Sequence, residues 1–275
     1  ASRALGAKAA ADFAALPDRR AAFAAWMTGP DNPYFAPAIA NRLWAHYLGR
    51  GLVEPLDDFR PTNPPTNEPL LAHLAKHLRD SKYDLKTFTR TLLNSRVYQL
   101  APRPLPGNAD DAQNFSHAAA KAIPAEVLLD AISQTTGVPE KFNGIPDGTR
   151  AIQLWDNRIP SYFFRIFGRP LRASVCECER SNEPSITQAL HLMNSPEIAE
   201  KIQAKTGAAR RLADSKKPPD EIVEELYLAV LARLPSAKER ATMAATFGAS
   251  SADRRAATED VLWALLNSKE FLFNH

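Results

Sequence analysis

NPYFAPAIANRLWAHYLG, residues 32–49, opens on Asn-Pro and closes on Gly, and between them apolar residues recur every three to four positions. That spacing is the period of a helix laid against a core. Asn32 reads as an N-cap with Pro33 at the first helical position, and Gly49 reads as the left-handed residue that ends the helix. The same punctuation by Pro, Gly and Asn recurs along the chain and marks further helices. They are expected at about 68–80, 84–96, 124–136, 160–167, 184–194, 196–206, 219–233, 236–247 and 253–272. Strand signals are almost absent; the apolar run Ala151-Ile152-Gln153-Leu154-Trp155 is the one place where a short strand fits. The fold class is therefore all-α, with about ten helices, long Pro-rich loops and at most one minor strand.

Two proline-rich connections interrupt the helices, Arg50 to Thr66 and Ala101 to Phe115. The second also carries a glycine and two consecutive aspartates, so the chain reads as one helical domain, 1–275, that can divide into packed lobes at 1–105 and 115–275. Leu-Leu-Asn-Ser at 92–95, Leu-Met-Asn-Ser at 192–195 and Leu-Leu-Asn-Ser at 265–268 each end an apolar run. The expected reason is mechanical: Asn takes the left-handed position after a helix and the following Ser caps the next one.

Composition excludes several classes. Hydrophobic residues at 45% and charged residues at 24% are ordinary for a packed domain, which argues against disorder or a disulfide scaffold. Lys and Arg number 34 against 31 Asp and Glu, interleaved, so no basic face for nucleic acid is advertised. No apolar run approaches the ~18 residues that span a bilayer. The start lacks a signal-peptide pattern and a Met, and reads as the cut edge of a longer protein. Phosphate loops, nucleophile elbows, HExxH and CxxCH patterns are not found.

Two stretches hold polar residues that do not fit a plain amphipathic helix. Arg42 and His46, four residues apart, share a helical face with Phe35 and Ile39, and an Arg on an apolar face requires an anion. Asp57 and Asp58, with Arg60 close behind, supply it, so an Arg-carboxylate network is expected. It serves either as a clamp on the Pro-rich loop or as a polar pocket. The second stretch, GRPLRASVCECERSNEPSITQALHL at 168–192, packs Arg169, Arg172, Glu177, Glu179, Arg180 and Glu183 around Cys176 and Cys178. Asn182 resembles an N-cap with Pro184 in the first turn, which would place these charges at a helix N-terminus that attracts anions. Cys176 and Cys178 read three ways: reduced residues packed in a loop, a strained local disulfide, or soft ligands for Zn or Cu that need further partners. His73 and His77 are an i, i+4 pair beside the stripe Leu70, Leu71, Leu74, Leu78, where polar flanks ordinarily face water.

Residues 32–65, YDLKTFTRTLLNSRVYQL, IPAEVLLDAISQTTGVPEKF, GTRAIQL, CECERSNEPSITQALHLMN and DVLWALLNSKEFLFNH together resemble, in order, the planctomycete-type domain of unknown function numbered fifteen fifty-three. The resemblance runs from about Asp18 to the C-terminus. Its pattern carries onto Asn41, Arg42, Trp44, His46, Gly49, Arg50, Gly51, Asp57, Asp58, Phe59 and Arg60, and onto Cys176, Glu177, Cys178, Glu179 and Arg180. The resemblance implies the C-terminal module of an exported, periplasmic or cell-surface protein that begins with a cytochrome-c-like module. Any haem c would sit in that upstream module, leaving this chain with none of its own. It also implies partners among the parent's other domains and a setting of extracellular polysaccharide breakdown. Export favours oxidised thiols, which raises the local disulfide among the three readings.

Three functions follow as expectations. The first is a non-catalytic or cofactor-assisting module whose Arg/Asp and Cys/Glu/Arg stretches form one polar pocket or partner surface, comprising Arg42, His46, Asp57, Asp58, Arg60, Arg172, Glu177, Glu179 and Arg180. The second is an oxidoreductase, or a hydrolase of extracellular carbohydrate with Asp57, Asp58, Glu177 or Glu179 as acid and base. The third is a scaffold in which both stretches are clamps.

Overall fold

In the computed structural model, residues 18–111, 113–155, 158–171, 184–249 and 253–274 are described. They are helical throughout apart from loops and one pair of two-residue strands, so the fold is all-α. The chain divides into two compact units, the first running through Ala120 and the second spanning Lys121–Asn274.

The first unit holds α1 (Arg19–Thr28), α2 (Phe35–Leu48), α3 (Glu68–Asp80) and α4 (Leu85–Leu93). Short polar side chains start three of them. Asp18 accepts from the Arg20 amide, Asn67 from that of Leu70, and Asp84 from those of Lys86 and Thr87, meeting donors that the helix itself leaves unpaired. Asn32 lies two positions ahead of the observed N-cap, Tyr34, and is not the cap itself. Its Oδ1 accepts from the Tyr34 and Phe35 amides, both at 2.9 Å, so α2 begins at Phe35 rather than at Pro33. Gly49 ends α2 at φ 90°, as the sequence predicts, with its amide on the Ala45 carbonyl. Ala40 and Trp44 of α2, Leu71, Leu74 and Leu78 of α3, and Phe88 and Leu92 of α4 close a core that also takes in Leu52 and Val53 from the Pro-rich loop.

The second unit runs β1 (Lys121–Ala122), α5 (Ala125–Thr136), a 3₁₀ turn (Ala151–Gln153), α6 (Tyr162–Ile166), α7 (Ile186–Asn194), α8 (Pro196–Gln203), α9 (Ala208–Ala213), α10 (Pro219–Leu231), α11 (Ala237–Ala249), α12 (Arg254–Leu266), α13 (Lys269–Leu272) and β2 (Phe273–Asn274). Its core joins α5, α10 and α12 through Leu128, Leu129 and Ile132, Ile222, Val223 and Leu226, and Val261, Leu262 and Leu265. β1 pairs antiparallel with β2, Lys121 opposite Asn274 and Ala122 opposite Phe273.

Four expectations are corrected here. The run 151–155 forms a 3₁₀ turn, not a strand. The single helix expected over 253–272 breaks at Asn267-Ser268 into α12 and α13. α7 is started not by Asn182, which lies outside the described residues, but by Ser185, whose hydroxyl and amide exchange hydrogen bonds with Gln188. The Asn-Ser corners do not use a left-handed asparagine: Asn94 has φ −86° and Asn267 φ −93°. Instead Asn94 Nδ2 reaches back to the Arg90 carbonyl and Asn267 Nδ2 to that of Trp263, each at 2.9 Å. The Ser95 and Ser268 hydroxyls then donate to Leu92 and Leu265 at 2.6 and 2.7 Å.

Candidate functional site

The loop after α2 is a built structure whose centre is Asn41. This residue is fully buried on α2, and its amide is used at both ends. Oδ1 accepts from the Leu52 and Val53 amides at 2.7 and 3.0 Å, while Nδ2 donates to the Val53 and Leu56 carbonyls at 2.9 and 3.2 Å. Buried backbone groups that would otherwise lack partners are thereby satisfied. Gly51 is required by space: a Cβ there would lie 2.5 Å from the Val53 carbonyl oxygen and 2.9 Å from Asn41 Oδ1. The Gly51 amide donates to Glu54 Oε1, and a cis peptide joins Glu54 to Pro55. Farther along, Asn63 Nδ2 donates to the Glu54 and Asp58 carbonyls, and Thr66 returns to the Leu52 carbonyl through both its amide and its hydroxyl.

The predicted charges lie on the outside of this loop. Arg42 Nη2 meets both oxygens of Asp57 at 2.6 Å, and Arg60 pairs side-on with Asp58 through Nε and Nη2, also at 2.6 Å. These are two local pairs. The expected apolar face under Arg42 is corrected: α2 buries Ala36, Ala40, Asn41, Trp44 and Ala45, while Arg42 and His46 stand on its exposed side. Fifteen residues separate Arg42 from Asp57, and the clamp by the neighbouring Asn41 brings them together. The Arg60 guanidinium holds the Asp58 carboxyl below the usual carboxylate range, and Asp58 in turn raises Arg60. His46 packs edge-on against Tyr47, ring centres 4.9 Å apart. Arg50 spreads its guanidinium over the Phe115 ring at 4.4 Å, and Trp44 meets the same ring edge-on at 5.3 Å.

In the second unit the structure brings forward residues that sequence reading passed over. α5 carries Glu126 and Asp130, one turn apart and both about nine-tenths buried. Asp130 accepts from the Ala151 and Ile152 amides at 2.7 and 3.2 Å, with Arg150 Nε at 3.4 Å. Glu126 faces the buried guanidinium of Arg169, Nε to Oε1 3.4 Å. Arg169 also donates to the Leu154 carbonyl at 3.3 Å and lies 4.4 Å over the Phe164 ring. Two buried charges on one helix thus grip the turn 150–154 from both ends. The signal was present in IPAEVLLDAISQTT: two carboxylates at i, i+4 among leucines repel each other unless separate cations or amides meet them.

Arg172, Cys176, Glu177, Cys178, Glu179 and Arg180 lie outside the described residues. Among the described residues no group of three or more His, Cys, Asp or Glu is arranged to hold a metal ion. His77 gives its Nε2 to the Thr91 hydroxyl at 3.1 Å and stacks on Phe88, while His73 is exposed. Among the described residues no helix is long and apolar enough to cross a membrane. No curated protein and no solved structure matches the chain. A family profile described as PSD1, Protein of unknown function (DUF1553), matches residues 19–247, well over half of the chain, with the clamped loop and the gripped turn inside it. The chain belongs to that family.

Proposed function

We propose that this chain is a non-catalytic binding module of an exported multidomain bacterial protein, and that its clamped loop 50–66 is a surface for the parent's other domains. One observation carries the reading: the carboxylates available as acid or base among the described candidates, the exposed Asp57 and the mostly covered Asp58, are each held at 2.6 Å by a guanidinium of the same region. A general acid needs a carboxyl raised toward neutrality by burial or a neighbouring anion, and Asp58 is shifted the other way. A loop already fixed by Asn41 loses little freedom on docking, which favours binding. Its Arg42–Asp57 pair and the exposed Arg60 guanidinium offer both signs of charge to a partner.

The test is charge reversal in the parent protein. Arg42→Glu is expected to leave the helical melt nearly unchanged and to weaken association with the upstream domains, measured with the two parts as separate chains. Unchanged association overturns the binding reading in favour of a clamp without a partner. The Cys/Glu/Arg stretch belongs to the same proposal as a redox-assisting element. Metal analysis with a thiol count, on the native chain and on Cys176→Ser, tests it; two unreactive sulfurs and no metal would remove that part.

A further inference from the structure

α6 ends at Ile166 and α7 begins at Ile186, so the passage between them contains the whole CECER stretch. The two helices meet through the His191 imidazole of α7 and through Gln188 Nε2, which donates to the Ile166 carbonyl at 3.1 Å. His191 of α7 has only 8% of its side chain exposed and is ringed by Tyr162, Phe163 and Phe167, at 5.5, 5.8 and 6.1 Å between ring centres. Among the described residues its Nε2 is buried without a hydrogen bond. Among the described residues the anion paired with it is Glu197 of α8, whose Oε2 stands 3.8 Å away, too far for a hydrogen bond, and whose side chain is 61% exposed. On the α6 side the titratable and charged neighbours are Tyr162 and Arg165, whose guanidinium lies over the Tyr162 ring at 4.9 Å and adds no anion.

We propose that His191 is an acid-sensitive latch: neutral, it packs α7 onto α6; protonated, it leaves the aromatic rings for Glu197 and loosens α7 from α6. The neutral imidazole is the form these surroundings accept, since three aromatic side chains cannot solvate a cation as water does. Burial accordingly lowers the His191 pKa, and Glu197 opposes that shift only in part. The sign follows. The unfolded chain takes up a proton near the ordinary value of ~6.5, before the folded one does, so acid weakens this packing as pH falls through that value and on through the folded pKa. Histidine is the side chain whose ordinary titration sits in this window. This latch is independent of the docking role given to loop 50–66.

A built-in reporter makes the test local. The Trp263 indole of α12 donates to the Met193 carbonyl, in the last turn of α7, at 3.3 Å. In the full 275-residue chain, NMR titration from pH 8 to 5 is expected to show His191 titrating below a free imidazole, and the Trp263 indole proton shifting with the same midpoint. His191→Phe should keep the packing and abolish the indole step. Glu197→Gln covers the case in which His191→Phe does not fold, and it should move the His191 midpoint lower still. A midpoint at or above that of free imidazole overturns the latch. So does an indole step that survives in His191→Phe, or a midpoint that Glu197→Gln does not move.

Discussion

Asn41 and Asp130 do the same task with different chemistry. Each is a buried side chain on a helix, and each accepts hydrogen bonds from two successive loop amides, 52 and 53 in one case and 151 and 152 in the other. They differ in what else the loop presents. Around Asn41 there are also two carbonyls, of Val53 and Leu56, which need donors. Around Asp130 the remaining neighbour is the Arg150 guanidinium, another donor. A carboxamide is the side chain that gives and accepts at once, while a carboxylate only accepts. The loop therefore selects the residue by its balance of N–H and C=O groups, and near-isosteric exchange should be poorly tolerated at either place.

The sharpest way to break this comparison is Asn41→Asp, which buries a charge at a fully enclosed position and leaves two carbonyls unpaired. A loss of about 3–5 kcal/mol in chemical unfolding of the whole chain is expected. A loss under ~1 kcal/mol would mean that the loop repacks freely and is no clamp. Next comes Gly51→Ala, which tests the crowding found only in the first loop. The added methyl meets the Leu56 side chain, which can move, but also the Val53 carbonyl and the bonded Asn41 amide, which cannot readily do so, and a cost of about 1–3 kcal/mol is expected. Asp130→Asn keeps one amide bond and turns an NH₂ toward the other donors, for about 1–2 kcal/mol. Hydrogen exchange at the Ala151 and Ile152 amides should rise in this variant while the Leu52 and Val53 amides stay protected. The smallest effect is Arg150→Ala. Its side chain is 63% exposed and only 3.4 Å from Asp130, so the change should stay below ~0.5 kcal/mol and fade with salt.

Much of the fold could be read from the sequence because helix ends are local. Gly49 stops α2, Asn67 starts α3 and Asp84 starts α4 through bonds to residues two to four positions away. The 3₁₀ turn was misread because its cause is distant: Ala151-Ile152 has strand-like composition, but Asp130, twenty-one residues earlier, gathers both amides into a turn. The Asn-Ser corners were legible as corners and misread in detail. A backbone role was assigned to asparagine where its side-chain amide, bonding four residues back, does the work. At the site, an Arg-carboxylate contact between α2 and the loop was expected without a choice between Asp57 and Asp58, whereas the exposed position of Arg42 depended on which stripe of α2 meets α3. Asn41, next to it in sequence, was quoted only as part of a family pattern. Nothing in one sequence distinguishes an amide facing water from one that satisfies four backbone groups.

The short ladder between β1 and β2 also has a mechanical side. Lys121, where the second unit begins, sits opposite Asn274 near its end, so the entering and leaving backbone stand at the same edge. Tension transmitted through those two points opens an antiparallel pair one rung at a time, instead of shearing all rungs together. Load applied there meets a ladder of two residue pairs before it meets the packed helices.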